Sequence, residues 1–250
     1  MCTVVCRWDP GEAVPVQMLA LRDELASRAF DLPDAWWHDQ PAVIGGRDRR
    51  GGGSWCVSDI ATAATAVILN RPERPAGEPG APSRGVLPLL AIRHKDRWPG
   101  FVDVTEMAGF NLVLVSPGAL RWWSFDGRHL RRQALSGGTH MFTPHGLLPA
   151  VLDHRFASRS IRPDPESAAP AGEVWAEWLA VLDAAVPSSD PADLLVRRPV
   201  DADSYETVFG QFIAARPGAL RLDYVDHPAH GPARPWTTRL WHADACDLAD

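Results

Sequence analysis

Short runs of alternating apolar and polar residues, separated by glycine- and proline-rich turns, occupy the first two-thirds of this chain. The first two runs, Thr3-Trp8 and Val16-Leu21, flank a turn that contains Pro10, Gly11 and Pro15. This spacing predicts a β-hairpin, because a period of two places successive side chains on opposite faces of a strand. The chain is therefore expected to begin with two antiparallel strands.

Further strands are predicted along the rest of the chain by the same pattern. The segments are Ala42-Ile44, Ser54-Ser58, Ala61-Leu69, Asn111-Val115, Ala119-Phe125, His129-Ala134, Thr139-Phe142, Glu206-Ala215, Leu220-Val225 and Thr237-Trp241. The four runs between residues 111 and 142 are joined by short turns, among them Pro117-Gly118 and Asp126-Gly127. We therefore expect these four strands to form a β-meander.

Helical periodicity is confined to a few segments. Residues 84–92 predict a short helix, with Ser83 as its N-cap and a kink at Pro88. Residues Glu173-Val186 predict an amphipathic helix, because apolar residues recur there at helical spacing. Its apolar stripe consists of Trp175, Trp178, Leu179, Leu182 and Val186. Many predicted strands with a few helices indicate an α+β fold.

Length and composition bound the class of protein. A chain of 250 residues with 46% apolar and 22% charged residues suits one globular domain spanning residues 1–250. The net charge of −6 argues against a nucleic-acid partner. No apolar stretch approaches the roughly 18 residues that cross a bilayer, and the N-terminus lacks the apolar segment of a signal peptide. We expect a cytoplasmic protein without an integral membrane segment, whose oligomeric state the sequence leaves open.

The chain has four cysteines, Cys2, Cys6, Cys56 and Cys246, and no Cys-x-x-Cys pair. In a cytosolic protein this usage predicts free thiols. Cys2 and Cys6 share one face of the first strand, because their spacing is even. Cys6 is then either a core residue below Cys2 or a second thiol of the same site, and the core is favoured.

Cys2 directly follows the initiator Met1. Removal of Met1 would leave one residue carrying both a thiol and a free α-amine. Because an α-amine has a pKa of about 7.7–8.0, it accepts a thiol proton near neutral pH. The hairpin returns Arg22 and Asp23 toward Cys2, and a nearby guanidinium favours the thiolate. Taken alone, Cys2 is better interpreted as an ordinary residue of an early strand.

A series of short motifs accompanies Cys2. They are Met1-Cys2-Thr3, Leu21-Arg22-Asp23-Glu24 with Ser27-Arg28, Trp36, Gly45-Gly46-Arg47-Asp48, Gly52-Gly53-Ser54-Trp55, Asn70, Arg84-Gly85, Gly109-Phe110-Asn111-Leu112 and Thr143-Pro144-His145-Gly146-Leu147. In order and spacing this series resembles the NRDE family, also called the transport and Golgi organisation protein 2 family and named for an Asn-Arg-Asp-Glu tetrapeptide. The resemblance extends to about residue 155 and is diffuse beyond it.

The resemblance implies a four-layer αββα sandwich of two mainly antiparallel sheets, similar to N-terminal-nucleophile (Ntn) hydrolases. It implies that Cys2 is the nucleophile and its amine the base. It also implies that Arg22 holds the thiolate, Asp23 binds the α-ammonium and Asn70 donates to an oxyanion, in a cysteine amidohydrolase acting on a small-molecule amide or acyl substrate. The sequence departs from the family pattern at Leu21, where the tetrapeptide has Asn, and at Pro144, where many relatives carry Asn.

Two other functions stay open at this point. The family has been associated with haem trafficking and lipid metabolism, so the same cleft could serve a non-catalytic carrier of haem or an amphipathic ligand. A scaffold without ligand chemistry is the third reading. No cofactor is expected for the hydrolase, and haem enters only as a ligand of the carrier, because the chain has no Cys-x-x-Cys-His attachment sequence.

No metal site is expected either. The nine histidines form no zinc motif, and the pair His227 and His230 lies in a proline-rich loop without an obvious third ligand. The proline- and glycine-rich segment 71–84 is either a lid beside the site or an inert connector. The adjacent pairs Trp36-Trp37 and Trp122-Trp123 are expected on strands, with one ring of each pair facing the core.

Overall fold

A computed structural model of the chain describes residues 2–72, 82–148, 156, 163–190, 193–231 and 234–243. The strands are β1 (Cys2–Trp8), β2 (Val16–Leu25), β3 (Phe30–Asp34), β4 (Val43–Asp48), β5 (Cys56–Asp59), β6 (Ala64–Asn70), β7 (Phe110–Ser116), β8 (Ala119–Phe125), β9 (Leu130–Leu135), β10 (Gly138–Thr143), β11 (Gly146–Leu147), β12 (Arg197–Val200), β13 (Asp203–Arg216), β14 (Ala219–Asp226) and β15 (Thr237–His242). The α-helices are α1 (Val86–His94), α2 (Ala171–Val174) and α3 (Ala176–Asp183), and 3-10 segments cover Lys95–Phe101 and Pro228–His230.

The first sheet, called sheet A, has the strand order β11-β10-β1-β2-β13-β14-β15, with β12 paired to β13. The predicted hairpin is confirmed: β1 and β2 pair antiparallel from Trp8 opposite Val16 to Cys2 opposite Arg22. On its other side β2 pairs with β13. The hairpin therefore lies in the middle of sheet A, between strands from the middle and from the last third of the chain.

The second sheet, called sheet B, has the order β3-β4-β5-β6-β7-β8-β9, and each pair of neighbours is antiparallel. Its strands follow the chain order without a crossover. The segment that contains α1 joins β6 to β7, and shorter connections join the other neighbours. Sheet B thus contains nothing from beyond Leu135, whereas half of sheet A comes from the last third of the chain.

The two sheets pack face to face with helices on the outside. The core between them includes Val4, Met18, Trp55, Phe209 and Ile213, all buried. A second core lies on the outer side of sheet A, where α2 and α3 cover Val5, Leu19, Leu21, Phe212 and Ala214. Helix α1 packs on β5, β6 and β7 of sheet B. The α+β sandwich expected from the sequence is confirmed, in the layer order α-β-β-α.

Two predictions on strands and tryptophans are corrected. The predicted four-strand meander contains only β7, β8 and β9, and its fourth strand, β10, pairs with β1 in sheet A. Trp123 is buried and Trp122 half-buried on β8, as expected for strand alternation. Trp36 and Trp37 come after the end of β3, so that alternation does not apply to them.

The helix predictions also change in detail. Helix α1 begins at Val86 with Gly85 as its cap residue, so Ser83 is not the N-cap. Pro88 then lies in the first turn, where a backbone N–H has no intrahelical acceptor, and the predicted kink is not required.

The predicted long helix is divided into α2 and α3 at Trp175, and its last apolar residue, Val186, lies beyond α3 and is exposed. The ring of Trp175 stacks on Phe212 with centroids 4.9 Å apart, and its Nε1 donates to Asp223 at 2.7 Å. Trp175 takes a non-helical conformation between the two helices, at the point where its side chain is held on sheet A.

Among the described residues, no helix combines the length and the apolar character that crossing a membrane requires. The segment predicted as a lid or connector, 71–84, lies largely outside the described residues. Cys246 lies outside them as well.

Candidate active site

Cys2 and Arg22 form the centre of the site, because the register of the hairpin places them directly opposite each other. Opposed residues of an antiparallel pair have Cβ atoms roughly 5 Å apart, so both side chains leave sheet A side by side. Cys2 is only 6% exposed and Arg22 only 3%. The nucleophile predicted from the sequence is thus buried next to a buried cation.

The guanidinium of Arg22 is fixed from several sides. It lies 4.6 Å from the ring centroid of Trp55 and 5.1 Å from that of Phe30. Its Nη2 atom donates to Asp48 Oδ2 at 3.2 Å. Among the described residues its Nη1 atom has no hydrogen-bond partner, although it is buried. A buried, charged donor without an acceptor is costly, so this atom marks a place for an anion.

Asp48 connects Arg22 to a second arginine. Arg28 donates to it through Nε at 2.7 Å and Nη2 at 3.2 Å, and the backbone N–H of Gly51 donates at 2.7 Å. Burial works against ionisation of Asp48, but these hydrogen bonds keep its pKa below the usual range. Asp48 therefore stays charged and holds both guanidinium groups in place.

Asp23 follows Arg22 on β2 and is anchored from β13. The hydroxyl of Thr207 donates to Asp23 Oδ1 at 2.7 Å, and the hydroxyl of Tyr205 donates to the backbone oxygen of Asp23 at 3.0 Å. A bulge in β13 between Thr207 and Phe209 shifts the register beside Arg22. Burial raises the pKa of Asp23 to about 6, against the lowering effects of the amino terminus, the Thr207 hydrogen bond and Arg22.

Asn70 and Arg84 complete the opposite wall. Asn70 is the last residue of β6, and Arg84 precedes helix α1 and donates to the backbone oxygen of Gly109 at 2.9 Å. The segment of Arg84 closely approaches the loop before β5, since a Cβ atom at Gly53 would lie 2.4 Å from the backbone of Gly85. Glycine at 53 is thus required for the approach that brings Arg84 to the site.

These side chains surround one cavity of about 280 Å³. Its lining consists of Cys2, Arg22, Asp23, Glu24, Arg28, Asp48, Ser54, Trp55, Ile68, Asn70, Ser83, Arg84 and Gly85. The structure therefore brings together all four residues predicted from the sequence. The lining includes three arginines and three carboxylates, which makes the cavity strongly polar.

The described cysteines, Cys2, Cys6 and Cys56, are free thiols, as predicted. Burial raises the pKa of Cys6 to about 12, which suits the core position expected for it. Burial also raises the pKa of Cys2, and the charges of the amino terminus and Arg22 offset only part of this effect. The Cys2 thiol is therefore protonated near neutral pH and needs a base when it reacts.

The structure shows what surrounds Leu21 and Pro144, the two residues that depart from the family pattern. Leu21 packs in the outer core of sheet A and not beside Cys2. The backbone oxygen of Pro144 accepts a hydrogen bond from Asn111 Nδ2 at 3.1 Å, and the Asn111 Oδ1 accepts one from Trp122 Nε1 at 3.1 Å. Asn111 is thus a buried connector between β7 and the segment after β10.

Sequence reasoning missed several residues of the site. Arg28, Asp48 and Arg84 belong to motifs that the sequence displays, yet nothing in the motifs showed that they meet Arg22. Thr207 and Tyr205 lie far outside those motifs, and only the pairing of β13 with β2 brings them to Asp23. The predicted strand at 206–215 contains Thr207 and begins directly after Tyr205, and the sequence carries no other signal for these two residues.

Comparison with known proteins gives one positive finding. The sequence profile of the family described as Transport and Golgi organisation 2 matches residues 1–151. A search of curated proteins gave no match. The profile spans all of sheet B and the strands β1, β2, β10 and β11 of sheet A, and it ends before β13.

Proposed function

The chain belongs to the transport and Golgi organisation 2 family, and from that premise we propose that it is an N-terminal-nucleophile cysteine hydrolase. The bond cleaved is a non-peptide amide or a related acyl linkage. The observation that carries the proposal is the convergence of Cys2, Arg22, Asp23 and Asn70 on one cavity. A thiol, a cation, a carboxylate and an amide donor are the groups that acyl transfer to a cysteine uses.

Acylation begins once removal of Met1 has freed the α-amine of Cys2. The amine takes the proton of the Cys2 thiol, and the resulting thiolate attacks the acyl carbon. The buried Nη1 of Arg22 offers a positive charge to the thiolate, while Asp23 holds the α-ammonium. Asn70 donates a hydrogen bond to the oxygen that becomes negative.

Acylation ends when the α-ammonium gives its proton to the leaving amine, which departs and leaves a thioester on Cys2. Deacylation is the hydrolysis of this thioester. Water then attacks the thioester while the α-amine accepts its proton, and the acid leaves as the thiol is restored. Because Asp23 has a pKa of about 6, it is ionised at pH 7–8, where the free amine also becomes available.

The carrier of haem or an amphipathic ligand is the second candidate. The polar lining of the cavity favours the hydrolase, because an apolar ligand would displace water from three arginines and three carboxylates. A small-molecule substrate, a cytoplasmic location and no nucleic-acid partner belong to the same proposal. The net charge of −6 supports the last of these.

The test combines intact-mass analysis with covalent labelling by a panel of acyl and amide electrophiles. We expect native protein without Met1 and one label per chain, located on Cys2 and absent from Cys2→Ala. Cys56→Ala is the matched control, because Cys56 is also a buried free thiol, and it should label like the wild type.

Retained Met1, or label on Cys56 or Cys246 in place of Cys2, would contradict the proposal. Haem or lipid that co-purifies equally with Cys2→Ala, without acylation of the wild type, would establish the carrier instead. If Cys2 is not labelled and no ligand co-purifies, the scaffold without ligand chemistry is the remaining interpretation.

A further inference from the structure

A second cluster of chemically competent side chains lies outside the candidate active site. Glu206 of β13 accepts contacts from two histidines on the 3-10 turn after β14. His227 Nδ1 lies 2.7 Å and His230 Nε2 lies 2.9 Å from the same oxygen, Glu206 Oε1. The three atoms all lie within 4.8 Å of one another. Glu206, which lies 21 residues before His227, is the third candidate ligand that the sequence pattern did not reveal.

The local backbone directs both rings to one side. Residues i and i+3 of a 3-10 helix nearly eclipse, and the turn Pro228–His230 gives His227 and His230 this relation. His227 has φ 48° and ψ 54°, a left-handed conformation that costs a residue with a Cβ atom about 1 kcal/mol or more. Its backbone N–H donates to Val208 of β13 at 2.8 Å, which fixes the turn beside Glu206.

Only one oxygen of Glu206, Oε1, is oriented to bind a cation. Its side chain is 2% exposed, whereas those of His227 and His230 are 27% and 33% exposed. The other oxygen, Oε2, accepts a hydrogen bond from Ser204 Oγ at 3.1 Å and lies 3.6 Å from Arg197 Nε. These contacts orient the carboxylate so that Oε1 faces the two imidazoles, as outer partners of metal-binding carboxylates do.

We propose that Glu206, His227 and His230 bind a divalent transition-metal ion of the zinc class. Two imidazole nitrogens and one carboxylate oxygen are a donor set that Zn²⁺ takes with a fourth position open. Bonds of about 2.0–2.1 Å place tetrahedral ligand atoms roughly 3.3 Å apart, so the two distances from Glu206 Oε1 to the imidazole nitrogens need to widen by only about half an ångström. Each imidazole binds as the neutral form, with its proton on the other ring nitrogen.

The open position has room for an exogenous ligand. His230 lines a cavity of about 540 Å³ together with Arg197, Leu182 and Trp236. Water or an anionic group in this cavity can reach the metal beside His230. The inference is independent of the proposed hydrolase, because none of its three ligands lines the cavity that contains Cys2.

The test is equilibrium dialysis of chelator-treated full-length protein against Zn²⁺ alone, followed by elemental analysis. We expect one Zn²⁺ per chain, and a dissociation constant that rises by about a hundredfold or more in His227→Gln and His230→Gln. His129→Gln is the matched control, since His129 is an exposed histidine 3.6 Å from a single carboxylate, Asp126, and it should bind like the wild type. Circular dichroism verifies that the variants are folded.

Co²⁺ in place of Zn²⁺ supplies a second readout. A three-ligand site predicts the intense visible absorption of four-coordinate Co²⁺ in the wild type, and its loss in His230→Gln and in the isosteric Glu206→Gln. Absence of stoichiometric binding overturns the proposal. So does binding that both histidine variants retain, because the metal would then be held elsewhere.

Discussion

Asp23 is a carboxylate whose ionisation costs the protein stability. Its folded pKa is about 6, above the unfolded value of about 3.9. Between these values the folded state binds more protons than the unfolded state, so stability falls as pH rises from about 4 to about 6. A shift of about two units in the pKa of Asp23 corresponds to a loss of roughly 3 kcal/mol in the free energy of unfolding. This cost in stability is consistent with the chemical role proposed for Asp23.

Asp23→Asn should therefore stabilise the protein by about 3 kcal/mol at pH 7.5, because Asn cannot ionise and its Oδ1 can still accept from Thr207. Urea denaturation at several pH values between 4 and 7.5 measures this. The exposed Asp39, replaced in Asp39→Asn, serves as control and should keep the wild-type dependence on pH. A variant less stable than the wild type at pH 7.5 would show that the ionised carboxylate is stabilised by its partners.

Arg22 should control the reactivity of Cys2. In Arg22→Met the charge next to the thiol is lost, so alkylation of Cys2 by iodoacetamide at pH 7 should slow by about tenfold, equivalent to one unit in the thiol pKa. Mass spectrometry of the alkylated peptide gives the rate. Arg47→Met is the matched control, because Arg47 also stacks on an aromatic ring, Trp36, and pairs with a carboxylate, Asp31, outside the cavity. An unchanged alkylation rate in Arg22→Met would show that Arg22 does not influence the reactivity of the Cys2 thiol.

At the scale of single residues, the sequence predicted Cys2, Arg22, Asp23 and Asn70 as one site, because short motifs keep a recognisable order. It could not predict that Asp48 joins Arg22 to Arg28, or that Thr207 holds Asp23. Such contacts depend on the pairing of strands that are far apart in the sequence, and local sequence patterns do not reveal this pairing. Glu206 escaped notice for the same reason, while its partners His227 and His230 stood out by spacing.

At the scale of elements, the approach of β5 and α1 depends on the pair Gly53 and Gly85. Gly53→Ala places a methyl group 2.4 Å from the Gly85 backbone. The overlap should cost about 1–3 kcal/mol and move Arg84 from the cavity. Thermal unfolding should show the lower stability of Gly53→Ala, and a changed extent of Cys2 labelling should show that the cavity has changed. Gly100→Ala is the control, since a Cβ atom there meets nothing within 4 Å. Equal stability of the two variants would contradict a required close approach.

Strands were predicted more reliably than their partners. Alternation and turn residues located the hairpin, the strands of sheet B other than β3, and the closing strands. The destination of β10 was missed, because a turn such as Ser136-Gly137 can continue a meander or cross to another sheet, and the local sequence is the same in both cases. The division at Trp175 was missed because the apolar spacing continues through it, while the contacts with Phe212 and Asp223 are tertiary.

At the scale of the whole molecule, the matched family region is incomplete as a structure. Residues 1–151 contain β2 but not β13, so a fragment ending there would expose one edge of β2 and the outer core of sheet A. We expect this fragment to aggregate or to lack cooperative unfolding, in contrast to the full chain. Thermal denaturation and limited proteolysis measure the difference. A fragment that unfolds cooperatively would contradict the prediction of a single domain spanning 1–250.

The hydrogen bond between Thr207 and Asp23 spans 184 positions of the chain. During translation the amino terminus emerges first, and the strand that supports its neighbouring carboxylate is among the last to be synthesised. Until then the nascent thiol has no assembled pocket around it. Under the proposed function, synthesis of β13 thus sets the moment at which this end of the polypeptide acquires its reactivity. A prematurely terminated chain would carry Cys2 without the residues proposed to activate it.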